Sequence, residues 1–256
     1  MQDWFDTPPG RDLLAWEQDQ FDQAVADVFG YHALQLGLDK VHGLRTNRIP
    51  HRWLAADPGT EFDADAVVRR HGSAALLTEF DALPFAANSL DLVLLPHTLE
   101  LSADPHATLR EVERVLVPEG RVVICCMNPA SLWGMRQRRA RLYRRLGLGD
   151  LFLPEAGDFI GYRRMRDWLR LLGFEVESSR FGAYRPAVST DAWLERYRWF
   201  DTAGARWWPI FGAVYFLVAV KRVRGMRLLN ADWRRAGRKR ATTAPVPIAG
   251  RSQKSD

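Results

Sequence analysis

The sequence has few cysteines and no long apolar run, and each deficit excludes a class of protein. Only two cysteines, Cys125 and Cys126, occur among 256 residues. Because neighbouring residues on a strand point to opposite faces, these two are poorly placed to bond each other, and no disulfide framework is predicted. The longest apolar run, residues 210–220, is far shorter than the roughly 20 residues of a membrane-spanning helix. We therefore expect it to form a buried strand.

An export signal is not apparent either. Acidic Asp3 and Asp6 occupy the region where such a signal has a basic stretch followed by an apolar one, so a cytoplasmic location is expected. The formal net charge is +5, and the excess lies mainly in residues 136–145 and from Lys221 onward. The remaining core is closer to neutral, and a hydrophobic content of 47% is ample for a packed domain.

Two kinds of catalytic site are also not indicated. No grouping of His, Cys, Asp or Glu has the spacing of metal ligands, so no metal site is predicted. No candidate nucleophile is accompanied by a matching base. The sequence contains no internal repeat, and it does not indicate an oligomeric state.

Short apolar runs alternate with polar or helical stretches along most of the chain. Such alternation predicts βαβ units, and hence a mostly parallel sheet with helices on both faces. The seven expected strands are residues 33–37, 52–56, 74–78, 90–96, 121–127, 174–179 and 213–222.

Helical spacing of apolar residues predicts a lead-in helix after the turn-forming Pro8-Pro9-Gly10, with Gly30 as its stop. Its apolar positions are Leu13, Leu14, Phe21, Val25, Val28 and Phe29. A second helix begins at Asp104 as N-cap, and Pro118-Glu119-Gly120 is expected to end it. Two further helices are expected at residues 165–172 and 191–200.

These elements divide the chain into three parts. Residues 1–30 form a helical lead-in, and residues 31–229 form the main domain. Within that domain, a basic lid or insertion is expected at about residues 129–165, after strand five. Residues 230–256 are basic and show no periodicity, so they are expected to be a disordered tail.

Three segments closely resemble the second half of class I S-adenosylmethionine-dependent methyltransferases of the small-molecule, type-11-like kind. They are Phe80-Asp81-Ala82-Leu83-Pro84-Phe85, residues 89–94 and residues 109–121. The resemblance is strong over residues 74–128 and extends by order of elements to residues 31–222. It implies a Rossmann-like α/β fold, methyltransferase activity, and S-adenosyl-L-methionine bound at the carboxyl ends of the strands.

The first loop departs from this family's pattern of an acidic residue and alternating glycines. Gln35 stands at the position of the acid, Gly37 is retained, and Asp39 and Val41 replace further glycines. The resemblance implies that Gln35, Gly37 and Asp39 contact the cofactor, with Gln35 hydrogen-bonding the amino end of its methionine moiety.

The resemblance also assigns roles to residues that follow strands two and three. It implies that Asp57 accepts hydrogen bonds from the ribose hydroxyls, although an Asp before Pro58-Gly59 is also ordinary turn chemistry. It implies that Glu79 pairs with the adenine amino group, with Phe80 beside the ring. Asp81 is the alternative to Glu79.

Pro96 and His97 lie at the end of strand four, where the resemblance implies that the methyl group and the acceptor meet, and both are expected to contact the cofactor. His97 has a pKa suited to accepting a proton near neutrality, so it is the candidate catalytic base, with Glu100 second. The alternative is a structural role for His97, in which it hydrogen-bonds the loop or shapes the methionine pocket. His106, in the first turn of the helix begun by Asp104, is expected at the surface.

A small molecule is the expected methyl acceptor. Its contacts are expected from residues 128–134, 136–145 and 181–186, with Trp207-Trp208-Pro209 closing one side. Trp193 and Trp199 are expected to pack onto the core.

Two hypotheses that assign the protein a different kind of function remain open. One is a weak or inactive methyltransferase-like interaction protein, which the glycine-poor first loop favours. The other is nucleic-acid binding, including methylation of RNA, through the basic segment at residues 136–145. The same segment could also touch an anionic membrane surface.

Overall fold

The structure is a computed structural model that describes residues 2–59, 63–145, 152–153, 159–188 and 190–222. Seven strands form one sheet in the order β3-β2-β1-β4-β5-β7-β6. They are β1 (His32–Leu36), β2 (His51–Ala56), β3 (Ala74–Leu77), β4 (Leu90–Pro96), β5 (Leu116–Met127), β6 (Phe174–Gly182) and β7 (Val214–Lys221). The first five strands are parallel, and β7 runs antiparallel to both of its neighbours. The expected seven-stranded, mostly parallel sheet is confirmed.

Eight α-helices connect or flank these strands within the described residues. They are α1 (Pro8–Val25), α2 (Ala64–His71), α3 (Thr98–Leu101), α4 (Pro105–Val115), α5 (Leu132–Arg145), α6 (Tyr162–Leu171), α7 (Asp191–Arg196) and α8 (Trp199–Trp207). Short 3₁₀ helices cover Gln2–Asp6 and Pro209–Phe211. None of the helices described is long and apolar enough to cross a membrane.

Alternate side chains of the central strands pack into two separate clusters, one on each face of the sheet. Leu92 and Leu94 of β4 join residues of α1 and α5 on one face. Val93 and Leu95 join residues of α4 and α6 on the other. Because both faces are covered, the central strands are apolar along their whole length, which is why they stand out in the sequence.

The lead-in helix differs from its prediction at both ends. It begins at Pro8 rather than after Gly10, with Thr7 as N-cap, since proline is tolerated in a first turn whose N–H groups have no helical partner. It ends at Val25, and Phe29 is 75% exposed. Gly30 does not end the helix. A glycine is required at this position because a β-carbon would lie 2.4 Å from the side chain of Asp91.

The prediction for α4 is confirmed at its start and wrong at its end. Asp104 Oδ1 accepts hydrogen bonds from His106 N and Ala107 N at 3.0 and 2.9 Å. These bonds, first the one from Ala107, hold the pKa of Asp104 below its usual value. The helix ends at Val115, and β5 begins at the next residue, so Pro118-Glu119-Gly120 lies within a strand. Within this strand, Glu119 adopts the left-handed backbone conformation that is typical of turns, with a φ of +65°.

The second half of the chain also departs in detail from the expectation. Residues 191–200 form part of two helices, α7 and α8, rather than one. The expected basic insertion contains α5, but several residues that follow this helix lie outside the described part, and so does the expected tail at 230–256.

Candidate active site

The carboxyl ends of four neighbouring parallel strands bring together residues predicted to hold a cofactor. Gly37 directly follows β1, Asp57 follows β2, Glu79 comes two residues after β3, and Pro96 ends β4. Because β3, β2, β1 and β4 are adjacent in that order, the four residues lie along one edge of the sheet. The strand order reverses between β1 and β4, and open α/β sheets bind ligands at this point.

Gly37 is required by its local structure. Its φ is +89°, a conformation that L side chains rarely adopt, and a β-carbon would lie 3.1 Å from Thr98 Oγ1. Thr98 Oγ1 in turn donates a hydrogen bond to Leu36 O at 2.6 Å. The end of β1 is therefore held closely against the start of α3.

The side chain of Gln35 is used to hold its own loop. Its Nε2 donates to Leu38 O at 2.8 Å and to Val41 O at 2.7 Å, and its Oε1 accepts from Gly43 N at 3.1 Å. The residue is only 1% exposed. The structure therefore gives Gln35 a loop-scaffolding position, with its amide group engaged by the loop that follows β1.

Asp39 lies in the same loop, beside a pair of stacked histidines. The rings of His42 and His71 are 3.8 Å apart. Burial and then the charge of His42 lower the pKa of His71 to about 4, while Asp39 acts in the opposite direction. The structure thus associates Asp39 with these imidazoles.

The residues predicted to bind the cofactor after β2 and β3 differ in their surroundings. Asp57 Oδ1 accepts a hydrogen bond from Gly59 N at 2.8 Å, which is the turn chemistry that the sequence allowed. Glu79 is exposed, and so is Asp81. Phe80 is buried within the main hydrophobic cluster, so its ring contributes to the core.

His97 lies at the centre of a buried polar cluster below this edge. Its φ is +54°, and it is fully buried. Its Nδ1 lies 2.7 Å from Glu100 Oε2, and its Nε2 lies 2.7 Å from Glu17 Oε1. The ring of Phe5 packs against it at 5.6 Å between centroids. Both ring nitrogens are therefore already engaged, and the ring is covered.

The charges of this cluster determine the protonation of His97. Burial by itself would lower the pKa of His97, but the charges of Glu17 and Glu100 outweigh burial and raise that pKa well above its usual value. Burial, and then the charge of Glu17, raises the pKa of Cys125 far above its usual range. At neutral pH the cluster thus contains an imidazolium and a neutral thiol.

Glu17 and Cys125 are members of this cluster that the sequence analysis missed. Glu17 comes from α1 and Cys125 from β5, so both are far from His97 in the sequence. One signal was available. Glu17 follows Leu13 and precedes Phe21 at intervals of four, which puts a carboxylate on the buried stripe of an amphipathic helix.

A cleft of about 450 Å³ opens beside the N-terminal half of α1, and we call it the aromatic cleft. Its walls come from α1, α5, α7, α8 and the end of β6. Residues that line it include Asp12, Trp16, Trp133, Phe181, Gly182, Tyr184, Arg185 and Asp201. Two segments predicted to contact the acceptor, 128–134 and 181–186, therefore contribute to one cleft.

Hydrogen bonds fix the polar wall of the aromatic cleft. Arg185 Nε donates to Asp201 Oδ2 at 2.7 Å, and Arg185 also pairs with Asp12. The backbone N of Tyr184 donates to Asp201 Oδ1 at 3.0 Å, and Trp133 Nε1 donates to Arg185 O at 2.7 Å. The cleft therefore combines aromatic surface with a charged cluster in which Arg185 pairs with two carboxylates.

Other predicted contact residues lie elsewhere. Trp193 and Trp199 are 48% and 60% exposed, so the expectation that they pack onto the core was wrong. Trp207 and Trp208 are exposed and do not line the aromatic cleft. His106 is half-buried, and its ring lies against Trp168 at 5.3 Å.

The basic segment is mostly a solvated helix. Arg138, Arg139 and Arg144 are exposed. Arg136 donates a hydrogen bond to Ala187 O, and its guanidinium lies 4.5 Å from the ring of Phe152. The start of this segment is therefore tied to the loop after β6.

Comparison with known proteins agrees with the observed order of strands and with the position of the candidate site in the sheet. Residues 42–124 match the family model described as a methyltransferase domain. The chain is 31% identical over 180 residues to the uncharacterized protein YafS of Escherichia coli, covering 70% of this chain and 67% of YafS. It is 32% identical over 91 residues to malonyl-acyl-carrier-protein O-methyltransferase 1 of Coxiella burnetii, covering 35% of this chain and 32% of that protein. The chain matches less than half the length of several other curated relatives.

A solved structure shows the same fold. The geranyl diphosphate C-methyltransferase of Streptomyces coelicolor, in complex with S-adenosyl-L-homocysteine, superposes with a TM-score of 0.53 at 15% identity. The superposition covers 82% of this chain and 77% of that protein.

Proposed function

Because this chain belongs to the class I S-adenosylmethionine-dependent methyltransferases, we propose that it transfers the methyl group of S-adenosylmethionine to a small-molecule acceptor. The observation that carries the proposal is the position of the aromatic cleft. It is built from the N-terminal helix and from segments after β5 and β6, and the carboxyl ends of these two strands lie at the same end of the sheet as those of β1, β2 and β3.

The residues at the edge fit the nucleoside end of the cofactor. Gly37 has a φ of +89°, which lets the backbone turn sharply at the end of β1 and leaves its peptide groups as candidate ligand contacts. Asp57 and Glu79 put carboxylates after adjacent strands, where they can accept hydrogen bonds from ribose hydroxyls and from the adenine amino group. The Glu79 side chain forms no hydrogen bond within the described part of the chain, so it is free to do so.

The methionine end must be held differently from the usual pattern. Gln35 has already used its amide in the loop, so backbone groups near Gly37 and Pro96 are the remaining candidates. The sulfonium carries its own activation, and the task of the chain is to align the acceptor and exclude water.

We assign His97 a positioning role. A general base needs a free lone pair within reach of the acceptor. His97 is fully buried, and both ring nitrogens are bonded to carboxylates, which attach the end of β4 to α1. This supports the structural alternative for His97 over the catalytic one.

Calorimetric titration with S-adenosylmethionine and S-adenosylhomocysteine tests the cofactor assignment. Glu79→Ala should weaken binding by about 1–3 kcal/mol, because hydrogen bonds to charged groups have about that value. Asp81→Ala is the matched control, since this carboxylate is also exposed two residues further on. If the wild-type protein binds neither ligand, the proposal fails. If only Asp81→Ala weakens binding, the adenine partner is Asp81.

The acceptor site is tested by transfer of a labelled methyl group to a panel of small molecules. Trp16→Leu should raise the KM for any acceptor found while leaving cofactor affinity unchanged, because Trp16 lies in the cleft against Gly182. Equal effects on acceptor and cofactor would place the acceptor elsewhere.

A further inference from the structure

Three side chains of the buried cluster have the chemistry and the spacing of a metal site. Glu17, His97 and Cys125 each offer one ligand atom, and these atoms all lie within 4.8 Å of one another. All three residues are fully buried. They come from α1, the end of β4 and β5, so no local sequence spacing could reveal the group.

A second observation points to a cation. Glu17 Oε2 is buried and has no hydrogen-bond partner among the described residues, whereas Oε1 is bonded to His97. A buried carboxylate oxygen is costly unless it is paired or coordinates a metal. The free oxygen belongs to the same side chain that offers a ligand atom to the group.

The orientation of His97 is that of a metal ligand. Metal-binding histidines usually donate the second ring nitrogen to a carboxylate, which fixes the ring and its tautomer. Here Nδ1 is bonded to Glu100 Oε2, and Glu100 Oε1 accepts a hydrogen bond from Met127 N. This arrangement holds the ring so that Nε2 faces Glu17.

We propose that Glu17, His97 and Cys125 bind one Zn²⁺ ion, with the carboxylate of Glu17 chelating the ion through both of its oxygens. A set of one carboxylate, one imidazole nitrogen and one thiolate sulfur suits zinc and does not suit Mg²⁺ or Ca²⁺, which prefer oxygen. Zinc bond lengths of about 2.0–2.3 Å imply ligand-atom separations of roughly 3.3–3.6 Å in a tetrahedral site. The distance of 2.7 Å between His97 Nε2 and Glu17 Oε1 and the upper limit of 4.8 Å for the whole group lie on either side of that range.

Binding is balanced by the loss of two protons. Zn²⁺ replaces the thiol proton of Cys125 and the proton shared by His97 Nε2 and Glu17, and both protons go to solvent. The ion attaches α1 to the ends of β4 and β5. Its role is structural, and the proposal does not depend on methyl transfer.

The test uses the purified full chain and the same chain refolded with metal, because the site is fully buried and is expected to be loaded during folding. Native mass spectrometry and elemental analysis should find about one zinc per chain. Refolding with Co²⁺ should give the thiolate-to-cobalt charge-transfer absorption in the near ultraviolet and the strong visible bands of a tetrahedral site.

The two cysteines provide a matched pair of variants. Cys126 is adjacent to Cys125 and equally buried, but it packs into the cluster on the opposite face of the sheet. Cys125→Ser should abolish the charge-transfer absorption, and Cys126→Ser should retain it. Loss in both variants, or in neither, would overturn the assignment.

Metal analysis of the wild-type protein tests the proposal even if Cys125→Ser does not fold. A folded chain that contains no zinc after purification, and that takes up neither zinc nor cobalt on refolding, refutes the proposal. Metal that is bound without a thiolate absorption in the cobalt form also refutes it, because Cys125 is then not a ligand.

Discussion

Replacing Gln35 by glutamate separates a loop scaffold from a cofactor ligand. The substitution restores the acidic residue that this family usually has at that position, and it preserves the shape of the side chain. If Gln35 faces the cofactor, the added charge should improve affinity for the amino end of the methionine moiety. If the side chain scaffolds the loop, the charge should destabilise the fold.

The magnitude follows from the three hydrogen bonds of Gln35. Glutamate loses the two bonds donated to Leu38 O and Val41 O, and it puts a buried carboxylate against these two carbonyl oxygens. Each lost bond has a net value of about 0.5–1.5 kcal/mol, and the unpaired groups add to this, so we expect a loss of about 2–4 kcal/mol. For a domain of this size, that corresponds to a decrease in Tm of about 4–16 °C.

Thermal unfolding followed by circular dichroism measures the stability, and calorimetry measures the affinity for S-adenosylmethionine. Gln23→Glu is the control, because Gln23 is exposed and accepts a hydrogen bond from Arg180 Nη1 at 2.6 Å, which a carboxylate accepts equally well. A Gln35→Glu protein with unchanged Tm and tighter cofactor binding would refute the scaffold role.

Two further predictions concern groups away from the edge. Lys221→Met should lower the free energy of unfolding in urea by about 2–4 kcal/mol, because the buried Nζ donates to three oxygens and pairs with Glu113. Arg222→Met, which removes only exposed ion pairs, should cost clearly less than Lys221→Met, and equal losses would contradict the argument. The pKa of His71 is lowered from 6.5 to about 4, first by burial and then by His42, so the unfolded chain takes up this proton at a higher pH than the folded chain. Stability from this group is therefore present above pH 6.5 and decreases as the pH falls towards about 4, and His71→Gln should reduce the slope of Tm against pH in that range.

The sheet could be predicted because its strands are covered on both faces. A buried parallel strand such as β4 has to be apolar at almost every position, and that run is visible without any tertiary information. The N-cap at Asp104 was also visible, since its hydrogen bonds are local. The end of α4 was not predictable in the same way. A Pro-Glu-Gly segment usually marks a turn, but here it forms part of β5 because of pairing with strands far away in the sequence.

The sequence predicted where the candidate site residues lie in the sheet, but it predicted their side-chain contacts only in part. The order of strands places Gly37, Asp57 and Glu79 at one edge, and the sequence pattern contains that order. The direction of a side chain depends on what surrounds it. Gln35 turns into its loop because three backbone groups within eight residues need partners there, and a sequence position by itself does not reveal this competition.

The role of His97 illustrates the same limit. As a residue type after β4 it is suited to general base catalysis, but that role requires an accessible nitrogen with a free lone pair. Whether the nitrogen is free depends on Glu17, which is 80 residues away in the sequence and is brought to Nε2 by the packing of α1 against the sheet. With a proton on Nε2 the lone pair is used by that proton, and with zinc on Nε2 it is used by the metal. In both states His97 cannot accept a proton from a methyl acceptor, so its contribution to transfer is to keep the end of β4 and α1 in place beside the cofactor edge.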